Sequence, residues 1–166
     1  MQVNTSRFGT MDLNDDDAIR FPAGIIGFPE ERSFVLLRRR EGSPVGWLQS
    51  TVTPWLALPV VSVAALDGGY SGATVEGTIE TLGIEFKPET CAIVVVLHIP
   101  AAPLKPTVNL VAPIVINSEI RAGAQVLIEG SQYSTQEPFV LRASDTAEVS
   151  AVREPADRAS VSTDAA

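Results

Sequence analysis

The chain has 166 residues, 12 basic side chains against 20 acidic ones, a formal net charge of -8 and a sequence pI near 4.6. With 45% of its residues hydrophobic it can build one domain around a real core, but it lacks the clustered Lys and Arg needed to grip a phosphate backbone. Apolar runs such as Cys91 to Leu97 and Leu110 to Ile116 have seven residues each, far short of the ~20 that span a bilayer. No charged segment followed by an apolar one opens the chain as a secretory signal would. A single cysteine, Cys91, excludes an internal disulfide framework and fits a reducing cytosol. The expectation is an acidic cytoplasmic protein that contacts neither nucleic acid nor membrane.

Twelve prolines and twelve glycines, mostly between short β-branched runs, are the punctuation of an all-β domain. In chain order the predicted strands are Gln2 to Phe8, Ala18 to Phe21, Ser33 to Arg39, Gly46 to Ser50, Leu58 to Val63, Cys91 to Ile99, Thr107 to Leu110, Ile114 to Asn117 and Ala124 to Glu129. Ser33 to Leu37 is mainly apolar and Cys91 to Leu97 shows no polar alternation, as expected of strands covered on both faces of a closed or strongly coiled sheet. Arg121-Ala122-Gly123 reads as a hairpin connection with the glycine supplying a positive φ. One helix is predicted, from Val75, Ile79 and Leu82 at helical spacing before Gly83, with a stop at Lys87-Pro88. The predicted fold class is mainly β: a small antiparallel β-barrel-like single domain, residues 1–142, with at most one short helix.

Residues 143–166 differ in composition. They hold seven Ala, four Ser, five acids and two Arg, with no aromatic residue, Leu or Ile. Such a segment cannot bury enough apolar area to offset the entropy of ordering, so a disordered tail is expected. Truncation after Arg142 should therefore leave the melting midpoint within roughly 2 °C.

The residues suggest no catalysis. His98 is the sole histidine, and a lone strand histidine is more often a hydrogen-bonded structural residue than a general base. Cys91 and His98 lie seven positions apart, which places them on opposite faces of a regular strand and defeats a Cys-His pair. One Cys and one His cannot complete a zinc site. Asp12-x-Asn14-x-Asp16 imitates the opening of a calcium loop, but Asp17 and Ala23 occupy the positions that need Gly and Glu. Gly68 to Gly72 has neither the spacing nor the lysine of a phosphate loop. Arg38-Arg39-Arg40, followed at once by Glu41, reads as a solvated strand end. Trp47 sits between apolar neighbours and is expected in the core. No enzyme, no cofactor and no metal are expected.

An interaction protein is the leading class, and its order of motifs resembles one family. Thr5-Ser6-Arg7-Phe8-Gly9 and Phe21-Pro22-Ala23-Gly24-Ile25-Ile26-Gly27-Phe28 look like the first two blocks of the flagellar assembly factor FliW family, with Trp47-Leu48-Gln49-Ser50 following. Asn109 to Asn117, then Arg121-x-Gly123-x-Gln125 and Tyr133-Ser134-Thr135, resemble its C-terminal block. The resemblance covers residues 2 to 139, with Ile26 and Pro29 standing where the family usually has Pro and Glu.

That resemblance implies a cytoplasmic β-barrel-like protein, expected to be a monomer when free, that binds flagellin and also the translational regulator CsrA in competition. Free factor would sequester CsrA and relieve repression of flagellin translation. Candidate contacts are the acidic residues Asp15, Asp16, Asp17, Glu30 and Glu31, which could oppose a basic partner, and the amides Gln49, Asn109, Asn117 and Gln125. Each of these amides lies in or beside an apolar strand, so it must bond internally or face a partner. The alternative is a small-molecule-binding β-barrel, since closed barrels can enclose a ligand, although bulky Val, Ile and Leu on most strands favour a filled interior.

Overall fold

The computed structural model describes residues 1–71, 75, 79–80 and 83–143. Eleven strands appear: β1 Gln2–Thr5, β2 Gly9–Asp12, β3 Ile19–Arg20, β4 Ser33–Arg38, β5 Val45–Ser50, β6 Ala57–Ser62, β7 Cys91–His98, β8 Thr107–Val108, β9 Ile114–Asn117, β10 Ala122–Gln125 and β11 Glu137–Pro138. The sheet runs β7-β6-β5-β4-β3-β10-β9, and β9 pairs back onto β7, which closes a seven-stranded barrel. All the pairings are antiparallel except one: β10 meets β3 in parallel at Ala122 and Arg20. The expectation of a small β-barrel is met.

The unalternating apolar runs arise because these strands are covered twice. One set of side chains fills the barrel: Ile19, Phe21, Ile25, Phe34, Leu48, Leu56, Val60, Val94, Ile114 and Ile116. The opposite set supports two outer clusters. Val45, Val61, Val95 and Leu97 pack beneath Leu66, Val108 and Leu141, while Val115, Ala124, Val126 and Ile128 pack beneath Val75, Ile79 and Ile84. Val75, Ile79 and Glu80 have helical backbone, and Val75 and Ile79 are fully buried. Gly83, at φ 76°, donates to the Glu80 carbonyl at 3.1 Å, the positive φ expected just past a helix end. Leu82 and residues 144–166 lie outside the described residues.

Two local expectations need correction. Gln2 to Phe8 is not one strand but β1 and the turn into β2. Thr5 makes the turn: its Oγ1 accepts from the Phe8 N–H at 2.8 Å and donates to the Gly9 carbonyl at 2.9 Å. The β9–β10 turn is also displaced. Arg121, at φ 50°, takes the positive φ, while Asn117 Oδ1 accepts from the Glu119 and Ile120 N–H groups at 2.9 and 3.2 Å. Gly123 lies within β10 opposite Ile116. It is glycine for another reason: a Cβ there would stand 2.5 Å from Cζ of Phe21.

Tyr70 stacks on Tyr133, with ring centroids 4.9 Å apart, and donates to the Leu110 carbonyl at 3.2 Å. Burial first, then the charge of Tyr133, push its hydroxyl from 10.0 up to about 12. The native state therefore keeps a proton that the unfolded chain loses near 10. Stability from this group is complete below pH 10 and is lost as pH rises toward 12. The melting midpoint of wild type should fall more steeply over that interval than that of Tyr70→Phe. Parallel profiles for the two would contradict this account.

Candidate partner-binding surfaces

The acidic run forms a single 3-10 turn, Asp15–Asp17, leading into β3. Asp17 is turned back, its carboxylate accepting the Asn14 N–H at 3.0 Å. Asp15 pairs with the Met1 ammonium at 2.9 Å, and that ammonium also donates to the Leu13 carbonyl at 2.6 Å. Asp15 and Asp16 are exposed and Asp17 is half-buried, so the turn faces solvent with part of its charge already balanced. Glu30 is exposed as well. Glu31 belongs to the scaffold, accepting the hydroxyls of Ser50 at 2.7 Å and of Thr53.

All four candidate amides bond to the chain's own backbone. Gln49 is fully buried, and its Nε2 donates to the carbonyls of Ser50, Thr53 and Pro54 at 2.9, 3.4 and 3.3 Å. Its Oε1 accepts nothing from the described residues. Asn109 Oδ1 accepts the N–H groups of Val111 and Ala112 at 3.1 and 3.2 Å. Besides its turn, Asn117 reaches the Glu85 carbonyl at 3.3 Å. Gln125 clamps two loops, accepting the Ile26 N–H at 2.9 Å and donating to the Ala112 carbonyl at 3.0 Å.

The glycine-rich motif from Phe21 to Phe28 is a tight loop in which a Cβ on Gly24, at φ +71°, would lie 2.5 Å from the Pro29 carbonyl oxygen. This loop lifts Phe28 against Trp55, edge to face at 6.0 Å. Trp55 is 66% exposed and Val52 beside it 76%, so this end of the barrel carries an apolar patch.

A second apolar surface was not foreseen. A groove of about 790 Å³ lies on the outer wall, lined by Trp47, Leu58, Pro59, Val96, Ile99 and Leu104 among others. Trp47 is half-buried rather than part of the core. Phe8 meets it edge to face at 6.1 Å, and the Arg7 guanidinium lies 4.0 Å from its ring centroid. The available signal was Pro59 inside a strand, a residue that ends ladder pairing on one side. His98 is exposed at the groove, while Cys91 packs near the outer cluster at the far end of β7. Among the described residues no three His, Cys, Asp or Glu side chains gather as metal ligands would, and no helix there is long and apolar enough to cross a membrane.

Comparison with known proteins supplies the context for these surfaces. The family model described as FliW protein matches residues 2–139. A flagellar assembly factor FliW of Heliobacterium modesticaldum is 37% identical over 136 residues, covering 82% of this chain and 88% of that relative. The protein of the same description from Geotalea uraniireducens is 37% identical over 139 residues, 84% of each chain. A crystal structure of the flagellar assembly factor FliW superposes with a TM-score of 0.74 at 31% identity, covering 86% of this chain and 99% of that one. With the motif loops, the barrel and the match along nearly all described strands in agreement, the chain belongs to the FliW family of flagellar assembly factors.

Proposed function

We propose that this protein acts in the cytoplasm as a partner switch: it holds flagellin as a chaperone does, and when free of flagellin it sequesters CsrA and so relieves repression of flagellin translation. The observation that carries this reading is the open apolar groove beside Trp47 on a protein whose barrel interior is already filled. Apolar surface of that kind suits a partner segment that must be shielded from self-association. No bond is made or broken, and the output follows from mass action among three proteins. The free protein is a monomer.

The second surface is electrostatic. A chain of net charge -8 attracts a basic RNA-binding regulator over distances screened beyond ~8 Å at physiological ionic strength. Replacing Asp15, Asp16 and Asp17 by Asn should slow CsrA association about tenfold at low salt and flatten its salt dependence. Flagellin affinity should change by less than about threefold, roughly 0.7 kcal/mol. Titrations of both partners at low and high salt check this. CsrA affinity that ignores both salt and the triple substitution would remove the acidic turn from the docking surface.

A further inference from the structure

The groove lies where the barrel wall splits. The β6–β7 ladder runs from Ser62 opposite Val94 to Val60 opposite Val96 and stops there. Beyond that point Ala57, Leu58 and Pro59 pair only with β5, and Leu97 and His98 pair only with β8. The direction of each main-chain group follows from neighbouring bonds. Ser62 N–H donates to the Pro44 carbonyl, and the Leu56 carbonyl accepts from Ser50 N–H, so the even positions of β6 turn toward β5. Ala57 and Pro59 therefore turn toward β7. Likewise the Val96 carbonyl accepts from Asn109 N–H on the β8 side, which turns Leu97 and Ile99 toward β6. Pro59 has no N–H to offer the Leu97 carbonyl, and the two strands part.

The result is a wedge with main-chain donors and acceptors on both lips: the N–H and C=O of Ala57 on one, the Leu97 carbonyl and the Ile99 N–H on the other. Its floor is apolar, since Leu58 and Val96 pack onto the interior cluster. Its outer rim carries Trp47 and Leu104, the latter 68% exposed. An open strand edge of this kind is a template for an added strand.

Charge restricts the occupant further. On a protein with eight more acidic than basic residues, the groove is lined by no Asp or Glu, and its ionisable side chains are Arg7 and His98. The Arg7 guanidinium is held over Trp47 and forms no ion pair among the described residues. We infer that the split between β6 and β7 binds an extended segment of a partner polypeptide by strand addition, and that this segment alternates apolar side chains with a carboxylate received by Arg7. One set of its side chains would settle on Leu58 and Val96, and the other would lie against Trp47 and Leu104. The inference rests on reading this groove as the flagellin-binding surface.

The test uses the full-length chain and flagellin monomer. Amide hydrogen exchange should show the Ala57 and Ile99 N–H groups exchanging freely in the protein alone and protected once flagellin is added. Ala57→Pro, which removes one edge donor, and Arg7→Gln should each weaken flagellin binding about tenfold. Unchanged CsrA binding and melting midpoint would show that both variants are folded. If flagellin binds wild type but leaves both amides unprotected, or binds both variants at wild-type affinity, strand addition is wrong and flagellin binding stands. If wild type does not bind flagellin, the functional reading fails and this inference fails with it. Protection already present in the free protein and abolished by truncation after Arg142 would make the chain's own tail the occupant, which also overturns the proposal.

Discussion

Phe21→Ala is expected to lower stability by about 3–5 kcal/mol, a loss of roughly 10 °C or more in melting midpoint. Phe21 is fully buried at the centre of the barrel, edge to face with Phe34 at 5.2 Å and 76°. Its ring fills the space left by the absent side chain of Gly123, where a Cβ would meet Cζ at 2.5 Å. The parallel contact between β3 and β10 brings these two residues together. Gly123→Ala should therefore cost about 1–3 kcal/mol through overpacking. Combining it with Phe21→Leu, which shortens the offending ring, should cost less than the sum of the two single changes. Thermal melts of the four proteins give the coupling. A Phe21→Ala midpoint within about 3 °C of wild type, or strict additivity in the cycle, would refute this account of the barrel interior.

Glu31→Ala should cost about 1–3 kcal/mol, because it removes the acceptor for two hydroxyls at once. Ser50, itself fully buried, donates to Glu31 while its Oγ accepts the N–H groups of Val52 and Thr53 at 3.1 and 2.8 Å. Gln49 ties the same loop from beneath, and the Pro54 carbonyl accepts Ser6 N–H at 2.8 Å. One carboxylate thus helps to hold the loop that presents Trp55 and anchors the N-terminal hairpin that carries Arg7. The variant should melt lower and exchange the Val52 and Thr53 amides faster. An unchanged melt with weakened CsrA binding would instead place Glu31 in the docking surface.

Much of this architecture was legible in the residues. Strand positions followed from β-branched runs between Gly and Pro, and Ile114–Asn117 matches its expected bounds. Val75 and Ile79 gave the helical backbone through spacing alone. The misreadings have physical causes. Thr5-Ser6-Arg7-Phe8 alternates well enough for a strand, but a threonine hydroxyl that can bond both ways across a turn competes with the ladder. Gly123 looked like a turn residue because a glycine needed for space and one needed for φ are the same letter. For Gln49, Asn109, Asn117 and Gln125 the residues left internal bonding and partner contact both open, since local sequence does not show which backbone groups a fold delivers to an amide. The groove depends on Pro59 facing β7 rather than β5, a matter of register, and on a long-range meeting of Arg7 with Trp47.

The central claim is competition between two partners for one protein. The most direct measurement is displacement: CsrA is bound to the full-length protein, flagellin monomer is titrated in, and the CsrA released is followed by a label on CsrA. The account predicts release in proportion to flagellin bound, reaching completion, with free CsrA regaining its RNA affinity. A stable complex containing all three proteins, or flagellin binding that leaves CsrA in place, would contradict it.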